Sequence, residues 1–551
     1  MRKKAKKLNF WNVMLLIACF FFLIFFIYPV ANILKESMLD KSGSFSLAAF
    51  KKFWSRKYYT SAIWNSLAVS SVSTIFSCIL GFLFAYFVTT VKIRGMNLVN
   101  TLLMVSFVSP PFIGAYSWIV LAGRNGVLTS LLNNLFHTRL NGIYGFWGIV
   151  LVFSVKMVPL VYLYVKGALK NMDNSLLEAA ENMGGRRWGI VLKIMMPLVM
   201  PTLLASMLLV FMRCFADFGT PMLIGEGYRT LPVLVYNTFV SDVGKDVSFA
   251  AAISVIMIVF TAAIFLIQRY VTSKMTVEMS ALHPVSPRKE SGAKNVLVHA
   301  YVYFLTFMAI LPLLVIFYNS FQKTNGIMFV DGFSLDSYRK AFDRMGTAIV
   351  NTFTYSTIAI IIILILGVTI GYLTIRRKNA LTGMLDTVVM FPYIVPGSVM
   401  GIALLVAFNK RPLLLTGTAV IMLLAYILRR LPYTVRSSAG FLKQINPSID
   451  EASLSLGATS FTTLRSITLP MMAPGVISGA LMSWITVVTE LSSTIFLNVT
   501  ATQTLTIAIY TEVVRTNFGT ASALSMILCA STTVVLMIFF KLTGKKEIDV
   551  G

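Results

Sequence analysis

Apolar runs of roughly 20 residues, the length a helix needs to cross a bilayer, recur near 11–34, 63–90, 98–121, 143–165, 199–217, 246–268, 298–318, 349–375, 385–408, 415–433, 473–495 and 520–541. Polar residues gather between them. The pattern predicts an all-α polytopic membrane protein with about twelve transmembrane helices. Composition agrees, because 57% apolar and 12% charged residues leave too little polar surface for a soluble fold of this size. The basic run Arg2-Lys3-Lys4-Ala5-Lys6-Lys7 precedes an apolar segment too long for a secretory signal, with no small-residue cleavage site after it. A retained first span is expected.

The formal net charge of +26 sits mainly in alternate loops: Lys92 and Arg94, Lys166 to Lys193, Arg269 to Lys294, Arg376-Arg377-Lys378, Arg429 to Arg465, and Lys541 to Lys546. Positive loops stay inside, so these loops and both termini are expected in the cytoplasm, and the charge calls for no nucleic acid. Cys19, Cys78, Cys214 and Cys529 fall within predicted spans without paired or metal-like spacing. His137, His283 and His299 are scattered, and neither a nucleophile triad nor a G-x-x-x-x-G-K-[ST] phosphate loop is present. The chain is not expected to be an enzyme by itself.

The second half restates the first. Asn65, Gly81, Tyr86 and Pro110 match Asn351, Gly367, Tyr372 and Pro396 at an offset of 286, and Glu178, Gly184, Ile194, Pro197 and Pro201 match Glu451, Gly457, Ile467, Pro470 and Pro474 at 273. The difference places an insertion near Gly123 to Asn141. An even number of spans per half, about six, makes the repeats parallel. The expected division is a first half at 1–271 with a loop at 171–201, a cytoplasmic linker at 272–297, and a second half at 298–551 with a loop at 444–474.

Those two loops hold the most specific motif. Ser175 stands three residues before Glu178, the spacing of a capping box, and Leu176, Ala179, Ala180 and Met183 form a helical stripe before Gly184. Ser448, Glu451, Ile449, Ala452, Ser453, Leu456 and Gly457 repeat the arrangement. Each is two turns of amphipathic helix, too short to span, with a small-residue face suited to protein contact. Glu-Ala-Ala, three residues, Gly and a later Pro resemble the EAA loop of ATP-binding-cassette importer permeases of the type I fold. The resemblance covers nearly the whole chain, with Ser453 departing from the motif and suggesting unequal contacts. It implies that Glu178, Ala179, Ala180, Gly184, Glu451, Ala452, Ser453 and Gly457 couple the chain to two copies of an ABC ATPase, which binds ATP and Mg. This chain itself then needs no cofactor.

Asp217 and Glu490 are acids within spans, aligned at the 273 offset and expected toward the outer end. Facing carboxylates there would attract a hard cation; alternatively each caps a helix or pairs with Arg229 or Arg515. The segments Ala216-Asp217-Phe218-Gly219-Thr220-Pro221 and Glu490-Leu491-Ser492-Ser493-Thr494, with the fusion of two halves, resemble ferric-iron importer permeases. Thiamine and aminoethylphosphonate permeases share that fusion. The resemblance implies a bacterial cytoplasmic (inner) membrane location, with cargo delivered by an extracytoplasmic binding protein to the loops at 35–61, 219–246, 319–346 and 497–518. Tyr228, Tyr236 and Tyr510 are candidate iron ligands or interface residues. A secondary transporter of the major facilitator type is disfavoured, because Val91-Lys92-Ile93-Arg94-Gly95-Met96 lacks its loop signature.

Overall fold

The apolar runs fold into helices in the computed structural model, which describes residues 10–40, 42–137, 141–240, 246–274 and 283–543. The basic run at 2–7 and the residues from 544 onward, on which the expected side of the termini rests, lie outside these. Among the described residues nine helices are long and apolar enough to cross a membrane: Phe10–Ser37, Lys57–Thr90, Phe146–Lys170, Trp188–Ala216, Val247–Thr272, Gly292–Phe321, Asp336–Arg376, Ser460–Val488 and Phe518–Phe539.

Three of the twelve predicted spans come out differently. Those at 98–121 and 385–408 are helix pairs, Met96–Val108 with Phe112–Phe136 and Ala380–Ile394 with Gly397–Ala407, bent by 103° and 108°. Each bend falls at a proline held extended, Pro110 with ψ 137° and Pro396 with ψ 148°, which cannot continue the helix before it. The run at 415–433 becomes the helix Ala419–Gln444, whose Arg429, Arg430, Arg436 and Lys443 make it too polar to face lipid. It packs between Asp336–Arg376 and Ser460–Val488 instead. A small hairpin, Gln322–Asn325 with Met328–Phe333, also departs from the all-helical expectation. Its turn carries Asn325-Gly326, a hairpin signal, with Gly326 at φ 63°.

The repeated residues do the same work twice. A Cβ on Gly81 would meet Val161 Cβ at 2.6 Å, and one on Gly367 would meet Thr434 Cγ2 at 2.7 Å. These glycines let Lys57–Thr90 approach Phe146–Lys170, and Asp336–Arg376 approach Ala419–Gln444, as small residues do in membrane bundles. Asn65 Nδ2 donates to the Arg229 carbonyl at 2.9 Å, and Asn351 Nδ2 donates to those of Ala501 and Gln503 at 3.1 and 3.0 Å. Next to them, Ser66 and Thr352 hydroxyls accept from the Leu231 and Leu505 N–H groups. Each half thereby anchors a short apolar helix, Leu231–Val240 or Leu505–Val514. The inserted segment near 123–141 holds the extra helix Val127–Phe136.

The halves exchange their first spans. Phe10–Ser37 packs against the second half, with Trp11 stacked on Tyr372 at 4.3 Å. Gly292–Phe321 packs against the first, where Tyr301 and Ser106 hydroxyls bond the Leu80 and Ala309 carbonyls. Three π-turns interrupt spans, at Leu23–Ile27, Val191–Met195 and Leu464–Thr468. Pro29, Pro197 and Pro470 follow two residues later. A proline lacks its N–H and crowds the carbonyl four residues back, so the preceding turn widens. The last two π-turns occupy matching positions of the repeat.

Candidate functional site

The two EAA-like elements form short helices, Asn174–Asn182 and Ser448–Ser455. Neither begins with the predicted capping box. Asp173 takes the first cap, accepting from the Ser175 N–H at 3.0 Å, and Asn446 Oδ1 accepts from the Ser448 N–H at 3.0 Å. Asp and Asn are as good cap formers as Ser, and those just upstream take the free N–H groups here. The stops are as expected: Gly184 and Gly457 have φ of 80° and 90°, the left-handed conformation that suits glycine. Behind them the N–H groups of Gly185 and Ala458 reach back to the Ala180 and Ser453 carbonyls at 2.9 and 3.2 Å.

The predicted stripe divides between two faces. Met183 and Leu456, at equivalent positions, are 83% and 89% exposed, and Leu176, Glu178, Ala179, Glu451 and Ala452 are exposed beside them. Leu177 with Ala180, and Asp450 with Ser453, face inward. Periodicity grouped these residues without showing which of them the body would cover. Ser453 bonds Thr463 at 2.9 Å, so its departure from the motif is a holding contact inside the loop and leaves the outer face unchanged.

The halves hold these helices by different means. In the second, Asp450 accepts from Arg376 Nε at 3.0 Å and from the Thr468 hydroxyl at 2.8 Å, while Arg376 also donates to the Ile445 carbonyl at 2.7 Å. In the first, Leu177 and Thr90 occupy the positions of Asp450 and Arg376. The linker supplies the missing cation. Arg288 bonds the Thr90 carbonyl and the Lys92 N–H through its backbone, and its guanidinium reaches Glu181 at 3.2 Å and Glu178 at 3.4 Å. These pairs are half exposed, so Arg288→Ala is expected to cost less than about 1 kcal/mol and leave folding intact. Faster amide hydrogen exchange in residues 174–182 is its expected signature, and unchanged exchange there would detach the linker from that helix.

Asp217 and Glu490 end the spans Trp188–Ala216 and Ser460–Val488. Asp217 Oδ1 accepts from the Thr220 N–H at 2.8 Å, in the first turn of Gly219–Ile224, and Glu490 Oε1 accepts from the Ser493 N–H at 3.1 Å, just ahead of Thr494–Leu497. Glu490 is also held by Arg429 at 2.5 Å and by Arg430. Arg229 and Arg515, the partners considered from sequence, lie elsewhere: Arg229 over the Tyr58 ring and Arg515 beside Glu512 at 3.5 Å.

Arg429 and Arg430 stand near the middle of the 26-residue helix Ala419–Gln444, so Glu490, at the end of its own span, lies beside the middle of that helix. The 29-residue spans ending at the two acids are longer than a hydrocarbon core of about 30 Å requires. The partners of Glu490 also bear on the expected chemistry. A carboxylate shared by two guanidiniums has little capacity left for a cation, and among the described residues no cluster of three His, Cys, Asp or Glu could hold a metal. Tyr236 and Tyr510 pack on Phe218, and Tyr228 on Phe146, as aromatic neighbours.

Other cations surround the acids. Lys156, which matches Arg429 at the 273 offset, donates to the Ser109 carbonyl at 2.9 Å and interacts electrostatically with Asp217. Arg213 lies 5.5 Å from the centre of the Phe107 ring, and among the described residues it forms no ion pair. Its charge is felt by Tyr164 and Tyr393, and the Tyr393 and Tyr433 rings meet at 5.6 Å. The group joins both halves. Sequence reasoning missed these cations, although basic residues inside the predicted spans 143–165, 199–217 and 415–433 were a visible signal.

Residues 77–277 and 363–545 each match the family described as binding-protein-dependent transport system inner membrane component. The chain belongs to this family. It is the membrane-embedded transport subunit of such a system. Relatives include a putative ferric transport system permease of Haemophilus influenzae, 29% identical over 87% of this chain and 77% of its own length. A ferric transport system permease of Actinobacillus pleuropneumoniae is 28% identical over 95% and 77%. A putative 2-aminoethylphosphonate transport system permease of Salmonella typhi is 25% identical over 46% and 88%. Among solved structures, a bacterial alginate ABC transporter in complex with an alginate-bound periplasmic protein is similar, at 19% identity and a TM-score of 0.41 over 48% of this chain and 94% of that one.

Proposed function

We propose that the chain is the permease of an ATP-driven importer for ferric iron, docked on two copies of an ABC ATPase through Asn174–Asn182 and Ser448–Ser455. An extracytoplasmic binding protein delivers the cargo, ATP and Mg bind only the partner, and both termini face the cytoplasm. One observation carries the docking role: two apolar tips, Met183 and Leu456, stand fully presented at equivalent positions on helices whose other faces are buried. Leaving such side chains in water twice is unfavourable unless a partner with two matching grooves covers them. ATP-driven closure of those grooves would draw the helices together and rock the halves against each other. Iron as cargo is supported by the ferric permeases that align with nearly the whole chain. The phosphonate permease supports a second cargo class.

The test is co-expression with the ATPase and binding protein, followed by reconstitution in vesicles and measurement of radiolabelled iron uptake. Uptake dependent on both partners and on ATP is expected. Met183→Asp with Leu456→Asp should abolish recovery of the ATPase with the permease while membrane insertion persists. Iron accumulation driven by an ion gradient with no ATPase present would refute the assignment.

A further inference from the structure

The charges around Asp217 and Glu490 do not balance. Lys156 interacts with Asp217, Arg429 and Arg430 hold Glu490, and Arg213 stands near Tyr393 with no acid bonded to it, so four basic side chains accompany two acids. An uncompensated charge within a membrane-spanning bundle is costly, and purely structural pairs would leave no surplus. Two donors in particular lack a partner among the described residues: Arg213 has only the face of Phe107, and the buried Arg430 Nε has no acceptor. Tyr164, Tyr393 and Tyr433 add hydroxyls beside them. All seven of these side chains are partly open, as expected of residues bordering an internal space.

We propose that this surplus forms a receptor for an oxyanion, so that the cargo passes the midplane carrying phosphate-like or carboxylate oxygens. The proposal rests on the importer assignment and specifies what that importer carries. Guanidinium groups present forked N–H donors that match such oxygens, and cargo sites in repeat-built transporters lie where the repeats meet near the bilayer centre. A bare trivalent cation would meet net repulsion here. Ferric iron would therefore cross inside an anionic complex, and an organic phosphate or phosphonate would fit the same groups directly. Glu490 pairs with Arg429 and Arg430, and an incoming oxyanion competes with it for those donors.

The experiment is thermal melting of the purified full-length permease titrated with inorganic phosphate, 2-aminoethylphosphonate, ferric citrate and, as a neutral control, glycerol. A saturable rise in melting temperature with at least one oxyanion, and none with glycerol, is expected. Arg213→Gln should weaken it at least about tenfold, the loss of roughly one charge-assisted contact, and Arg213→Lys should retain most of it. A response to ferric citrate alone identifies a metal complex as the source, and a response to the phosphonate identifies an organic one. The proposal is overturned if no oxyanion shifts melting, leaving the cations as a barrier, or if the shift survives intact in Arg213→Gln. Anion binding in a chain that fails the vesicle uptake test would sink the importer assignment and spare the site. ATP-dependent uptake without any anion response would do the reverse.

Discussion

Replacing Glu490 with Gln is expected to lower the stability of the purified chain by about 3–5 kcal/mol, the usual cost of removing one partner from a buried ion pair. The carboxylate holds two guanidiniums, each of whose side chains is no more than 15% exposed, and is itself 3% exposed. Glutamine keeps the shape and can still accept a hydrogen bond, but leaves two adjacent cations without a counter-charge. Its effect should therefore exceed that of Arg429→Gln, in which Arg430 still balances the acid. Combining Glu490→Gln with Arg430→Gln should recover part of the loss. Melting of the three variants in detergent decides the matter, and a Glu490→Gln protein as stable as the parent would mean that the triad is not closed as described.

Asp450→Ala should produce the second large effect, this time in coupling. Asp450 ties its loop to the end of Asp336–Arg376 by accepting from Arg376, and to the following span by accepting from Thr468, while Arg376 also holds the Ile445 carbonyl. Its side chain is 9% exposed, so the loss should fall near the lower end of the roughly 3–5 kcal/mol expected for a broken buried pair, concentrated in Ser448–Ser455. Because the first helix is held independently through Arg288, the ATPase should still assemble on the complex. Hydrolysis should then proceed with transport largely lost, and a normal ratio of ATP hydrolysed to cargo moved would remove this anchor from the coupling route. The triple change of Arg376→Thr, Asp450→Leu and Thr468→Ala, which imitates the apolar choice at Leu177, should restore part of the stability.

Much of this architecture was legible because the chain states it twice. The pairs Asn65 with Asn351 and Gly81 with Gly367 recur because each half solves the same packing and hydrogen-bonding problem, and the solution demands the same residue types. Gly184 and Gly457 were legible for a related reason, since a left-handed stop restricts identity strongly. What escaped were features decided by neighbours distant in sequence. The outward aim of Met183 depends on what covers Leu177, and the cap at Asp173 depends on competition between adjacent side chains. Glu490 was noticed as an acid in a span, yet its partners stand sixty and sixty-one residues away on another helix, so its role as an occupied carboxylate could not be read from its own segment. The bends at Pro110 and Pro396 were visible as prolines, but their angles were not.

The matched π-turns at Val191–Met195 and Leu464–Thr468 lie between Met183 or Leu456, the tips proposed to dock, and the acid that ends the rod that follows. A rod with one surplus residue is over-supplied with backbone for the distance it covers. Were that turn to take ordinary α geometry against the crowding of the proline that follows it, the part beyond would rotate by about 100° and extend by about 1.5 Å. A push arriving at Met183 or Leu456 can thus reach Asp217 or Glu490 as a twist, and the two rods, being alike, would turn in the same sense.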